Sequence, residues 1–223
     1  MIEVRNTRLQ EVQQLLLQTI QEKEILHREI HHRVKNNMQM IMSILKIQSK
    51  TSKNLNIDEF IANSENRIRA MALIHEYLYE SEHFNHVNFE KYLNKLTETI
   101  QLLHKDFKNI TVKAALQSVK LSIHTSISLG IIINELFLNA YKYAFTGQDK
   151  GIIKIQLFLE QAEYYLVFED NGVGFEAGNT LIQSSGLQIV DLLVCQLGGV
   201  MDIKSDAGTQ IIIKFKELNL VHA

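Results

Sequence analysis

Along the first part of the chain, apolar residues recur three and four positions apart, the spacing of one helix face. Leu9, Val12, Leu16 and Ile20 begin the stripe, and Leu26, Ile30, Val34, Met38, Ile41 and Leu45 continue it. The pattern predicts a single long helix over residues 5–49, and no glycine interrupts the chain before residue 130. A helix of that length cannot bury its stripe against itself and requires a partner. Residues 51–56 are polar and turn-like, and Asp58 reads as the N-cap of a second helix carrying Phe60, Ile61, Ile68, Met71, Leu73, Ile74, Tyr77 and Leu78. Two helices and a short loop make an antiparallel hairpin, and a second copy would complete a four-helix bundle.

Past a polar junction at residues 81–87 the pattern changes character. An amphipathic helix is expected over 89–107, β-like segments over 110–114 and 119–123, and an apolar helix over 125–145. Dense β-branched and aromatic residues predict strands at 152–159 and 164–169. A glycine-bearing loop, 171–185, leads to a helix over 187–197, and strands at 200–204 and 209–215 flank the turn Ser205-Asp206-Ala207-Gly208. The expected organisation is a helical signalling segment (1–24), a helical hairpin (25–82) and an α/β domain (83–223).

Composition narrows the function classes without choosing among them. The 223 residues carry a formal net charge of -2, which gives no reason to expect nucleic acid or an acidic membrane as the main partner. The lone cysteine, Cys195, cannot form an internal disulfide, and Leu192, Leu193, Val194 and Leu197 around it predict a packed helix face. No run reaches the ~18 apolar residues that span a bilayer, since Asn134, Glu135 and Asn139 interrupt the most apolar one, and no signal peptide is recognisable. A cytoplasmic protein is expected. There is no proline, which removes one boundary marker.

Four segments carry candidate chemistry. In Glu169-Asp170-Asn171-Gly172-Val173-Gly174-Phe175, after an apolar strand, the aspartate can accept from an exocyclic amine, and the glycines let backbone approach a flat ligand. Such a string also marks plain turns. On the helix through Asn134-Glu135-Leu136-Phe137-Leu138-Asn139-Ala140-Tyr141-Lys142-Tyr143, the residues Glu135, Asn139, Lys142 and Tyr143 lie on or near one face. That face is either a solvated stripe or a carboxylate and a carboxamide suited to hydrated Mg²⁺, with a lysine near phosphates. Ser184-Ser185-Gly186-Leu187 offers free N–H groups at a helix start, suited to phosphate or to ordinary capping. Gly208-Thr209 opens the final strand and by itself says only that a turn precedes it.

Taken in order, these four segments resemble the N, G1, G2 and terminal boxes of the GHKL ATPase fold over residues 87–215. Histidine kinases, type II topoisomerases and some chaperones share that fold. Within it, His31-His32-Arg33-Val34-Lys35-Asn36-Asn37-Met38-Gln39 resembles the phosphoacceptor box of a sensor histidine kinase subfamily, which reads His-Arg-Val-Lys-Asn-Asn. The segment from Arg67 to Tyr79 is similar to the matching second helix of the hairpin.

The resemblance implies two-component signalling: autophosphorylation of His32 from ATP, then transfer to a receiver-domain aspartate of a response regulator. It implies a homodimer through the hairpin, an upstream sensor domain absent from this chain, and ATP and Mg²⁺ as cofactors. Asn139 would hold Mg²⁺, Asp170 the adenine amine, and Glu135 either water-bridged Mg²⁺ or the histidine proton. Lys142 and Tyr143 would face the phosphates, Gly172, Gly174, Gly186 and Leu187 would supply lid backbone, and Thr209 would line the adenine pocket. An imidazole with pKa near 6.5 is a competent nucleophile at neutral pH. His32 lies off the Leu26-Ile30-Val34 stripe. His31 is its rival, and the resemblance selects the histidine before the arginine. The remaining histidines read as surface residues, apart from His75, which borders the core stripe of the second helix. Many sensor kinases carry an acidic residue after the phosphoacceptor, where Arg33 stands here. The alternative from the same fold is an ATP-gated clamp or chaperone without histidine phosphorylation.

Overall fold

The computed structural model describes residues 8, 13–20, 41, 57–79, 86–103, 109–117, 119–148, 150–175 and 185–217. The chain divides into two compact units, Met1–Lys46 and Ile47–Ala223. In the first unit residues 13–20 are helical, with Leu15, Leu16, Leu17 and Ile20 all exposed. His31, His32 and Arg33 lie outside the described residues.

The second unit opens with helix α1 (Ile57–Tyr79), followed by strand β1 (His86–Asn88) and helix α2 (Phe89–Leu103). Strands β2 (Ile110–Leu116) and β3 (Lys120–Ser122) lead to the central helix α3 (Ile123–Asn139). Then come β4 (Gly151–Glu160), β5 (Glu163–Asp170), helix α4 (Ser185–Gln196), β6 (Val200–Asp206) and β7 (Gly208–Phe215). The main sheet has the order β2-β4-β5-β7-β6, and β1 pairs with β3 in a separate ribbon. Only β2 and β4 run parallel; the other neighbours in the sheet are antiparallel.

Alternation builds the sheet's buried face. Along β4, Ile153, Ile155 and Leu157 point inward while Lys154 and Gln156 are exposed, the period of a strand covered on one side. Leu166 and Phe168 of β5 and Ile211, Ile213 and Phe215 of β7 extend the same core. Against it lies α3, buried on every side from Thr125 to Leu138 and accordingly mostly apolar, with Ser126, Ser128, Asn134 and Glu135 among its buried polar residues. The stretch Ile123–Ala144 is long and apolar enough to cross a membrane by length and composition, but 89% of its apolar window is buried inside this protein.

The start of α3 is fixed by two oxygens. Ser122 Oγ accepts from the Thr125 N–H at 3.2 Å, an N-cap. Glu217, beyond β7, places Oε1 2.8 Å from the Ser122 N–H and 3.2 Å from the Thr125 hydroxyl, at the positive end of the helix. The cap moves the helix start to Ile123, two residues ahead of the expected 125.

Two further expectations are corrected. The polar junction conceals a strand, β1, whose Val87 is fully buried opposite Leu121; three residues are too few to display a period of two. Cys195 is exposed, because Val194 and Leu193 take the inward face of α4 and turn their neighbour outward.

Candidate functional site

The cleft lies where α3, the ends of β5 and β7, and the first turn of α4 meet. Immediately after Asn139 the helix widens into a π turn, Ala140–Ala144. Such wide turns are frequent at functional sites because they re-aim side chains. Here Tyr143 lines the cleft, while Lys142 is exposed and does not line it. The single face expected for Glu135, Asn139, Lys142 and Tyr143 assumed unbroken α geometry, and the π turn alters that register.

Asp170 ends β5 directly opposite Thr209, the second residue of β7. Its Oδ1 accepts from the backbone N–H of Gly172 at 2.9 Å and of Thr209 at 3.3 Å. Partial burial pushes this carboxyl above its ordinary value, and those N–H groups with the Thr209 hydroxyl pull it part of the way back. Gly174 has φ +68, and a Cβ there would lie 2.7 Å from the carbonyl of Asp206. The chain thus passes tightly under the β6–β7 turn before Phe175, whose N–H donates to Ser205 Oγ at 2.6 Å. Gly172 abuts the Ala144 carbonyl, and the neighbouring Val173 N–H donates to that oxygen at 2.8 Å.

On the opposite wall, a Cβ added to Gly186 would lie 3.1 Å from Glu135 Oε2 and 3.3 Å from Asn139 Oδ1. Helix α4 therefore begins against the two oxygen-bearing side chains of α3, and Leu187 of its first turn lines the cleft. Among the described residues, the buried Asn139 Nδ2 has no hydrogen-bond partner. A buried donor without a partner is costly, and a ligand oxygen would satisfy it. The donor set fits a nucleotide with Mg²⁺: the Asn139 carboxamide oxygen for a hard cation, the start of α4 for phosphate, and Asp170 for an amine.

Asn139, Tyr143, Asp170, Gly174, Leu187 and Thr209 are thus brought to one cleft, with Gly172 and Gly186 in its walls. Motif reading did not single out Leu136, Ala140, Ala144, Phe168, Phe175 and Ile211, which complete its lining. Their only signal is the alternation and periodicity that mark any core residue. Glu135 does not line the cleft. It is buried beneath it, with both carboxylate oxygens held by Arg67 at 2.7 and 2.8 Å.

Comparison with known proteins finds likenesses to histidine kinases. Residues 29–105 match the family model HisKA_2, described as histidine kinase. The sensor histidine kinase PdtaS of Mycolicibacterium smegmatis is 30% identical over 86% of this chain, which covers 40% of that protein. The blue-light-activated histidine kinase 2 of Erythrobacter litoralis is 26% identical over 83% of the chain and 54% of that protein. The chain thus spans about half or less of the length of these relatives. In fold it resembles the histidine kinase domain of the Erythrobacter litoralis blue-light-activated kinase EL346, with TM-score 0.68 and 22% identity over 85% of this chain and 92% of that one. Over residues 29–105 the chain thus matches the histidine kinase family model, and over most of its length it is similar to sensor histidine kinases.

Proposed function

We propose that this protein binds ATP with Mg²⁺ in the cleft, phosphorylates itself on His32, and passes the phosphoryl group to an aspartate of a response-regulator receiver domain. The observation that carries the reading is the convergence of Asn139, Gly186, Asp170 and Thr209 on one cleft. Bound ATP supplies the phosphoryl group, and Mg²⁺ neutralises its charge. The chain's own contribution is placement. Asp170 accepts from the adenine amine, Thr209 holds that carboxylate and lines the pocket, and Asn139 offers its carboxamide oxygen to the cation. The first turn of α4 at Gly186 and Leu187 presents N–H groups to phosphate, with Tyr143 at the phosphate side; Lys142, outside the cleft lining, takes no part in this placement. Glu135, behind Asn139, sets the charge beneath the metal. The imidazole of His32 gains the phosphoryl group, loses its proton, and ADP departs.

A dimer through the hairpin, an upstream sensor and a cytoplasmic location, where ATP is available, belong to the same reading. The match of residues 29–105 to histidine kinases favours it over an ATP-gated clamp. Incubation with γ-labelled ATP and Mg²⁺ tests it. Acid-labile label should appear on the wild type and on His31→Gln, and vanish from His32→Gln. Label lost from His31→Gln but kept by His32→Gln would move the acceptor to His31. Asn139→Ala should abolish labelling without dissociating the dimer; full labelling of that variant would overturn the metal role.

A further inference from the structure

Deep between α1 and α3 sits an ion pair that the cleft's own chemistry does not explain. Arg67 is 3% exposed, and its Nε and Nη2 donate to Glu135 Oε1 and Oε2 at 2.7 and 2.8 Å. The arrangement is bidentate, so both oxygens and the rotamer of Glu135 are fixed. The neighbouring inward residues of α1, Ala70, Met71 and Ile74, are apolar. Two apolar side chains at 67 and 135 would join that core without desolvating two charges, so helix packing alone gives no reason for the pair. Moreover, Arg67 Nη1 is buried without a partner among the described residues, so the guanidinium is held here at a cost.

What the pair does accomplish is local. It sets the Glu135 carboxylate where a Cβ on Gly186 would meet Oε2 at 3.1 Å and Asn139 Oδ1 at 3.3 Å. The carboxylate thus stands beside the amide oxygen offered to the cation and under the first turn of the phosphate-side helix. We propose that Arg67 is a positioning residue of the nucleotide site, which acts through Glu135 to shape Mg²⁺-dependent nucleotide binding and ties that binding to helix α1. The inference rests on the reading of the cleft as an ATP·Mg²⁺ site. It gives α1 a direct mechanical input to the cleft: displacing α1 moves the guanidinium, and the carboxylate beside Asn139 moves with it.

Calorimetric titration of the full chain with ATP, in EDTA and in Mg²⁺, tests the proposal. Groups that orient a metal site from behind are worth roughly 10–100-fold in metal affinity. Arg67→Lys and Arg67→Met should therefore keep ATP binding in EDTA, which reads the adenine end, and lose about tenfold or more of the Mg²⁺-dependent gain. Because Arg67 acts through Glu135, Arg67→Met/Glu135→Gln should match Glu135→Gln alone. If Arg67→Met does not fold, Arg67→Lys and the double variant, which leaves no unpaired buried charge, decide the matter. An unchanged Mg²⁺ gain in Arg67→Lys, or a double variant in which the two losses multiply, overturns the positioning role while leaving the nucleotide site standing. A wild type that binds no ATP overturns both.

Discussion

Asp170 shows how one side chain sets stability against binding. Burial holds its carboxyl above the ordinary range, despite the two N–H groups and the hydroxyl that stabilise its charge. Below about pH 4 the carboxyl is protonated in both folded and unfolded chains. As pH rises toward the raised native value, the unfolded chain loses its proton first, so the folded chain binds more protons and stability falls. Above the native value a constant cost remains. Asp170→Asn keeps an oxygen for the N–H donors and removes that cost. Urea midpoints of variant and wild type should therefore separate in favour of Asp170→Asn as pH rises from 4, and stay separated to pH 7. Its amide would turn an NH₂ group toward the adenine amine, donor against donor, so nucleotide affinity should collapse in the more stable protein.

At this scale the sequence was uneven in what it disclosed. Asp170, Gly186 and Asn139 stand in short strings whose order resembles a known fold, so their convergence could be expected. Arg67 opens the string similar to the second helix of the hairpin, but nothing in that string pointed to Glu135. A basic residue on an amphipathic helix reads as solvent-facing, and its partner lies 68 residues downstream. Only tertiary packing discloses the pair.

Among elements, α3 governs the domain because it touches α1, α2, α4 and the β1–β3 ribbon, and its Phe137 ring meets Phe168 of β5 edge-on with centroids 5.5 Å apart. Its approach to α2 has no spare room: a Cβ on Gly130 would lie 2.0 Å from the Tyr92 hydroxyl and 2.9 Å from the ring carbon that bears it. Tyr92 is itself fully buried, with its hydroxyl donating to the Ala70 carbonyl of α1 at 3.2 Å. Gly130→Ala gains helix propensity but overpacks this junction, and thermal unfolding should show a net loss of about 1–3 kcal/mol. Tyr92→Phe should relieve only part of that loss, since the ring carbon stays in the way. Periodicity located α3 to within two residues of its start because its apolar run is long. The same reasoning could not foresee the π turn, for Ala140–Ala144 has no composition to distinguish it from ordinary helix.

For the whole molecule, the cleft draws on α3, β5, α4 and β7, so anything bound there holds together elements from most of the α/β domain. With ATP and Mg²⁺ at 100 times the dissociation constant, the linkage amounts to ~2.7 kcal/mol. For a chain of this size, that should raise the melting temperature by roughly 5–10 °C. Asn139→Ala should lose most of the shift in Mg²⁺. The layered arrangement of helices on a mixed sheet was legible from alternating β-branched strands and one apolar helix. The strand order was not, because pairing partners are chosen by side-chain fit between segments far apart in the chain.

That strand order has a consequence for the protein's birth on the ribosome. Asp170 and Thr209 are cross-strand neighbours, yet 39 residues separate them. At synthesis rates of ~5–20 residues per second, Thr209 follows Asp170 by roughly 2–8 s. Through that interval β5 has its partner β4 on one side and an open edge on the other, with no opposing strand to complete the cleft. ATP therefore cannot help a half-made chain to fold. A ligand of the cleft can only secure a chain in which β7 has already paired with β5.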